Sequence, residues 1–483
     1  MGVRITYFAP AFAEIFVLGM ACLTLLVYLF VPKRAKIVTY ILVQATLVVA
    51  AIITLLQFGQ SPVTTFNGTF ILDNLAVMLK LFIYLSSFFA FIYARSYLPK
   101  TSMPYGEYYL LGLFSVLGMM VIVSGHSFIT LFLGLELFSL PVYAMVALPR
   151  KSAICSEAAI KYFVIGSLAS GMLLYGLSML YGATRSLDIS TVAQAIMRTP
   201  VDHELILLFG MVFVVVGIAF KLGAVPFHMW VPDVYEGAPT PVVLFLGTGA
   251  KIAAAGLAFR LLNDTLFGLD MQWQQLLIVI AVLSMALGNL AAIVQTSIKR
   301  MLGYSSIAHM GYMTLGLLTA TPEGYGAALF YVITYALMTL GAFGLITMMN
   351  NSGYEASNID DLRGLNSRNP WLALMMLFTM FSLAGVPPIV GFMAKVAVLE
   401  ALIGVHMVWL AAIALLFAVI GAYYYIRVVK VMYFESPLDE TPIKYPRDTQ
   451  LAITVNGLLL LVLGVVPGFL FTLCQAAFNS KFY

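Results

Sequence analysis

The sequence predicts an all-α polytopic membrane protein of about fourteen transmembrane helices, built as two inverted five-helix repeats whose broken helices are spans 7 and 12. Three observations lead there. Hydrophobic residues fill 62% of the 483 positions and charged residues only 10%, where a soluble domain is about a quarter charged. The apolar residues gather into fourteen segments, each near the roughly 20 residues that cross a bilayer. Two of these segments are too long for one straight crossing and are interrupted by glycine and proline.

In chain order the segments cover residues 8–31, 37–58, 71–94, 107–124, 128–147, 156–182, 205–236, 240–261, 274–294, 302–320, 325–349, 371–404, 407–432 and 450–474. MGVRITYFAPAFAEIF runs straight into the first, with no basic region, short apolar core and cleavage site, so span one is expected to be kept. An even number of crossings puts both termini on one side. Lysine and arginine collect in cytoplasmic loops. Fifteen follow odd-numbered spans: Lys33, Arg34, Lys36, Arg95, Lys100, Arg150, Lys151, Lys299, Arg300, Arg363, Arg368, Arg427, Lys430, Lys444 and Arg447. Five follow even-numbered spans or lie at the ends: Arg4, Arg185, Arg198, Arg260 and Lys481. Both termini are therefore expected to be periplasmic. The chain divides into residues 1–103, three N-terminal helices; 104–264, the first repeat (spans four to eight); 265–434, the second repeat (spans nine to thirteen); and 435–483, a C-terminal helix.

Span seven is broken at LGAVPF and span twelve at LAGVPPIVGF. Proline removes a backbone donor and clashes with the preceding turn, so each break leaves unpaired backbone near the membrane middle. Interrupted spans at corresponding places in two halves mark an inverted repeat with the site at the break. Lys221 abuts the first break and Lys395 follows the second. Glu136 in span five and His309 in span ten lie at similar depths, and Lys251 has no counterpart in span thirteen.

The remaining five of the 25 basic residues, Lys80, Lys161, Lys221, Lys251 and Lys395, fall inside spans. A lysine at a span centre costs roughly 2.5–3.5 kcal/mol on insertion scales, so it faces a partner or an internal water path. Lys221, Lys251 and Lys395 sit too deep to snorkel easily and read as proton relays, because a buried lysine can lose its proton and arginine cannot. Buried ion pairing is their bland alternative. Glu136, about 12 Å into its span at 1.5 Å per residue, is the carboxylate nearest a span centre. It is either a switch whose charge depends on a neighbouring lysine or a packing hydrogen bond. His228 at the break and His309 read as proton-transfer groups against the alternative of satisfied core histidines; His126, His203 and His406 read as surface loop residues. Lys161 has Glu157 one helical turn before it, an ordinary stabilising pair, and Lys80, outside the repeats, leans structural.

Other chemistry is excluded more simply. Cys22, Cys155 and Cys474 are too scattered for a zinc or iron–sulfur site and read as packing residues. Neither GxGxxG nor GxxxxGK[ST] occurs, no histidine and carboxylate grouping has metal-ligand spacing, and the net charge of +4 comes without a basic run that would bind nucleic acid or lipid headgroups.

PFHMWVPDVYEGAPTPV, LGYSSIAHMGYM and SLAGVPPIVGFMAK resemble the antiporter-like membrane subunits of respiratory complex I, the NADH:quinone oxidoreductase, and the resemblance covers nearly the whole chain. Lysine at Lys395 separates the chain from subunit M of that family, which carries a glutamate there. The resemblance implies that Glu136 and Lys221 form a charge pair, that Lys251 is the central relay and Lys395 the outlet-side lysine, with His309 between them, and that Lys161 also matches a lysine of the family. It further implies an inner-membrane location, partners of the subunit M and subunit K kind beside the lipid bilayer, no cofactor in this chain, and FMN, iron–sulfur clusters and quinone in partner subunits. A subunit of a multi-subunit sodium/proton antiporter is the rival reading. A stand-alone transporter of an organic solute is a third, weakened because no arginine or aromatic cage flanks either break.

Overall fold

The computed structural model describes residues 7–32, 37–101, 103–198, 204–350, 357–438, 443 and 445–479. The basic residues Arg4, Lys33, Arg34, Lys36, Lys444 and Lys481, His203 and both extreme termini lie outside the described residues.

The chain forms α1 (Phe12–Phe30), α2 (Ile37–Leu55), a short hairpin of β1 (Val63–Thr65) and β2 (Phe70–Leu72), α3 (Asn74–Tyr97), α4 (Tyr105–Ser124), α5 (Phe128–Val146), α6 (Ala153–Thr184), α7 (Ile189–Arg198) and α8 (Glu204–Leu222). There follow α9 (Trp230–Gly237), α10 (Thr240–Gly247), α11 (Gly249–Ala258), α12 (Asp270–Ile293), α13 (Ile298–Leu317) and α14 (Pro322–Asn350). The chain ends with α15 (Leu365–Arg368), α16 (Pro370–Ala384), α17 (Val390–Gly404), α18 (Val408–Phe434), α19 (Arg447–Val465) and α20 (Gly468–Asn479). Among the described residues, twelve helices are long and apolar enough to cross a membrane. The two other expected spans are α13, which Ser305, Ser306, His309 and Thr314 make too polar to stand out by composition, and span twelve, divided into the shorter α16 and α17.

Membrane helices cannot gain by hiding apolar faces from lipid, so close packing through small residues holds them together. A Cβ at Gly118 of α4 would collide with the backbone of Phe138 on α5, and one at Gly288 of α12 would lie 2.6 Å from the amide nitrogen of Ala308 on α13. Spans four and five are thus clasped as spans nine and ten are. The central helix α14 is buried at every position from Gly324 to Met349, while α1, α2, α6, α18 and α19 present Leu, Ile, Val and Phe outward.

The structure adds features that the apolar pattern did not carry. The β1–β2 hairpin pairs Val63 with Leu72 in antiparallel register, and α7 follows span six with Ile189, Val192 and Ile196 buried. Both lie at one end of the bundle, where the His126 amide donates to the Thr69 carbonyl at 2.9 Å and the Ile189 amide to the His126 carbonyl at 3.2 Å. His126 is consequently buried, not a surface residue, with Nε2 2.9 Å from Ser190 Oγ; His406 is exposed as expected. Cys155 and Cys474 pack inside, but Cys22 is exposed on the outer face of α1.

Candidate proton-transfer site

Each broken span ends its first half in a glycine with positive φ, Gly223 at 73° and Gly385 at 83°. A helix end leaves its last carbonyls without intrahelical donors, and lysines meet them at both breaks. Lys251 donates from Nζ to the Leu222 carbonyl at 2.6 Å, and Lys395 donates to the Ala384 carbonyl at 2.7 Å. Glycine is required for this approach: a Cβ at Gly223 would lie 3.1 Å from Lys251 Nζ, and one at Gly385 would lie 3.0 Å from Lys395 Nζ. Each ammonium also sits over an aromatic ring, Lys251 5.3 Å from the centroid of Trp230 and Lys395 5.3 Å from that of Tyr312. The lysine that answers Lys395 at the first break is therefore Lys251 on the neighbouring span. The expected pairing of Lys221 with Lys395 gives way, because Lys221, in the last turn of α8, turns from the break toward α5.

There Lys221 Nζ donates to Ser139 Oγ at 2.8 Å. No ion pair within 4.0 Å joins it to Glu136, whose Oε1 is buried without a hydrogen-bond partner. The implied charge pair is thus not in contact in this structure.

His309 lies at the centre of a hydroxyl chain that sequence reasoning did not find. Its Nδ1 is 2.8 Å from Tyr331 Oη and its Nε2 3.1 Å from Tyr425 Oη, which is in turn 2.5 Å from Ser305 Oγ. Ser305, His309 and Tyr312 follow one another at intervals of four and three residues, one face of a helix, and that spacing was available as a signal. The Tyr235 hydroxyl and Ser306 Oγ are also buried and face each other. Buried polar groups of this kind are where ordered water sits.

The other two expected residues stand apart. Lys161 is exposed and binds Glu157 at 2.8 Å and Asp233 at 2.9 Å; Asp233 and Glu236 also hold Arg300, at 3.3 and 2.8 Å. His228 is half-buried beside the exposed Met229. Lys80 is fully buried and pairs at 2.5 Å with Glu14 of α1, a carboxylate the sequence reading passed over.

At the opposite end from the Lys161 network, Arg260 is buried and binds Asp73 at 2.7 Å and Asp264 at 3.0 Å. Burial pushes the Asp73 carboxyl up, but the Arg260 guanidinium outweighs this and holds it below the usual carboxylate range. Burial and the same guanidinium push His126 below the usual histidine range, against the opposing pull of Asp188 and Asp73. Asp73, His126, Arg260 and Asp264 line a cavity of about 100 Å³ with Asn263 and Ser190. Among the described residues, no group of three or more His, Cys, Asp or Glu is placed to hold a metal ion.

Two broken spans, each with a lysine seated on the carbonyls at its break, define a membrane subunit of the antiporter-like class. Residues 125–421 match the family model described as NADH:quinone oxidoreductase/Mrp antiporter, TM. The chain is 58% identical over 476 residues to NADH-quinone oxidoreductase subunit N of Coxiella burnetii, covering 98% of each chain. It is 52% identical to the subunit of the same name from Thioalkalivibrio sulfidiphilus, covering 99% of this chain and 100% of that one. It belongs to the subunit N family of NADH-quinone oxidoreductases. A chain in the structure of respiratory complex I from Thermus thermophilus with bound aureothin superposes with a TM-score of 0.82 at 30% identity, over 95% of this chain and 98% of that one. A chain of the Mrp complex from Dietzia superposes with a TM-score of 0.84 at 19% identity, over 98% and 97% of the two chains, a likeness of fold alone.

Proposed function

We propose that this chain is a proton-translocating subunit of the membrane arm of NADH:quinone oxidoreductase in a bacterial inner membrane, with both termini periplasmic. Electron transfer from NADH to quinone, through FMN and iron–sulfur clusters in partner subunits, drives proton movement through Glu136, Lys221, Lys251, His309 and Lys395. Subunits of the M and K kind are its neighbours. Residues 104–264 and 265–434 act as the two inverted halves, and Lys161 and His228 stand at their rims.

The observation that carries this reading is the matched seating of Lys251 and Lys395 on the carbonyls of two broken helices. A helix C-terminus carries partial negative charge and favours a cation, so each break can hold an ammonium. A neutral amine still has hydrogens to donate, so the seat survives loss of the proton. Unpaired backbone at a break lines a path for water, and the buried Tyr235 and Ser306 hydroxyls offer further polar groups that water can bridge. The sodium/proton antiporter reading shares the fold, but the relatives 58% and 52% identical over nearly the full chain carry the oxidoreductase name.

The test is NADH-driven pH-gradient formation in inverted membrane vesicles containing the assembled complex with Lys251→Ala. The proposal expects the rate per assembled complex to fall at least tenfold while NADH oxidation by an artificial acceptor persists. A wild-type rate in well-assembled complex would remove the relay.

A further inference from the structure

On α5, Glu136, Ser139 and Tyr143 follow one another at intervals of three and four residues, so the three polar groups share one face. Lys221 reaches that face at its middle member. On one side Glu136 Oε1 is buried without a hydrogen-bond partner; on the other the Tyr143 hydroxyl is turned toward Ser139. Ser139 commits its own hydrogen to the Leu135 carbonyl at 2.6 Å, so only the lone pairs of Oγ face Lys221. An oxygen fixed in that way accepts a hydrogen bond from lysine in either protonation state. It cannot neutralise the ammonium as a carboxylate would.

We propose that Ser139 is a positioning residue that holds Lys221 one helical turn away from Glu136, in the open place of a two-place switch whose closed place is the Glu136–Lys221 ion pair. The inference rests on the proton-transfer reading above. Neighbouring side chains on one helix face are about 5–6 Å apart at Cβ, a distance the flexible lysine stem crosses without backbone movement. Aromatic side chains flank it. The ammonium lies 5.8 Å from the Phe138 ring and 5.6 Å from the Phe220 ring, and Tyr143 is packed at 4.6 Å against Tyr162 of α6. The titratable groups facing Lys221 are thus Glu136 and Tyr143 from α5, with Tyr162 behind them. Without the Ser139 oxygen, the buried lysine has only Glu136 as a strong acceptor, and the switch rests closed.

Four variants test this in the assembled complex: Ser139→Ala, Ser139→Thr, Glu136→Gln and the double variant Ser139→Ala/Glu136→Gln. The readout is the initial rate of NADH-driven pH-gradient formation per assembled complex between about pH 6 and 9. Ser139→Ala is expected to slow pumping at least threefold and to displace its pH profile, Ser139→Thr to stay within twofold of wild type, and the double variant to be no slower than Glu136→Gln. A wild-type rate and profile for Ser139→Ala beside an impaired Glu136→Gln would overturn the role of Ser139. So would equal slowing by Ala and Thr with unmoved profiles, which is the signature of packing. If Glu136→Gln itself pumps normally, the proton-transfer reading fails first.

Discussion

Lys251 donates to the carbonyl of Leu222 at 2.6 Å, so the lysine of one span satisfies the end of the broken helix of another. The second break does this within its own span, where Lys395 of α17 reaches back to Ala384 of α16 at 2.7 Å. The halves therefore use one device with two connectivities. Lys221 is left free to serve α5 instead.

This device separates fixed charge from proton exchange. Arginine would keep a cation at the carbonyls of Leu383 and Ala384 but stays protonated in proteins. Lys395→Arg is expected to impair pumping nearly as much as Lys395→Ala, and Lys395→Glu to keep part of the rate. The check is the initial rate of pH-gradient formation in vesicles, normalised to assembled complex. Full activity for arginine beside a dead alanine variant would show that static charge suffices.

Glu136→Ala is expected to lower quinone-linked pumping severalfold with assembly largely intact, since its Oε1 takes part in no hydrogen bond that holds α5 in place. Electron transfer from NADH to an artificial acceptor should be unchanged. Loss of the assembled complex on native gels would assign Glu136 to structure instead.

What the sequence disclosed and what it hid follow from range. Proline and glycine act on their own helix, so the breaks at Gly223–Pro226 and Gly385–Pro388 were legible. The break at Thr248, with φ −117° and ψ −94°, has no proline and was not. Lys221, Lys251, Lys395 and His309 stood out because charge is costly in lipid. Ser139, Tyr331 and Tyr425 did not, since a hydroxyl in a span reads as packing until its partner from another helix is known. Glu14 was missed because it lies near the start of span one, where a carboxylate reads as a surface group until its partner Lys80 is known, and His126 was misplaced because the hairpin that covers it carries no long apolar signal.

Topology offers a separate check. The excess of lysine and arginine in loops after odd-numbered spans predicts that a reporter fused near residue 360, in the Ile359–Leu362 turn, reports cytoplasm, and one fused after residue 480 reports periplasm. A cytoplasmic report from both fusions would mean that one of the three spans between them was miscounted, and would undo the inverted pairing.

His126 gives a pH dependence with a definite sign. Burial and Arg260 lower its pKa in the folded chain, so the unfolded chain binds its proton first as pH falls. Stability is then unaffected above the unfolded value of about 6.5 and declines as the pH drops below it. Thermal unfolding of the purified complex between about pH 7.5 and 5.5 should show this decline, and His126→Gln should flatten it. An unchanged slope in the glutamine variant would place the titrating group elsewhere.

Lys80 and Glu14 make the last prediction, because their ion pair at 2.5 Å is enclosed, with side-chain exposures of 0% and 9%. Removing one member of a buried pair strands the other charge and costs about 3–5 kcal/mol, whereas replacing both with apolar residues of similar volume is often neutral or better. Glu14→Gln and Lys80→Met should each reduce the amount of assembled complex, and Glu14→Leu/Lys80→Met should restore it. The restored double variant should also pump at close to the wild-type rate per complex, since the pair lies in the N-terminal helices α1 and α3 and no hydrogen bond joins it to Lys251, His309 or Lys395. Restored assembly with lost pumping would instead make Lys80 part of proton transfer, and α3 would have to be counted with the two repeats as a conducting element.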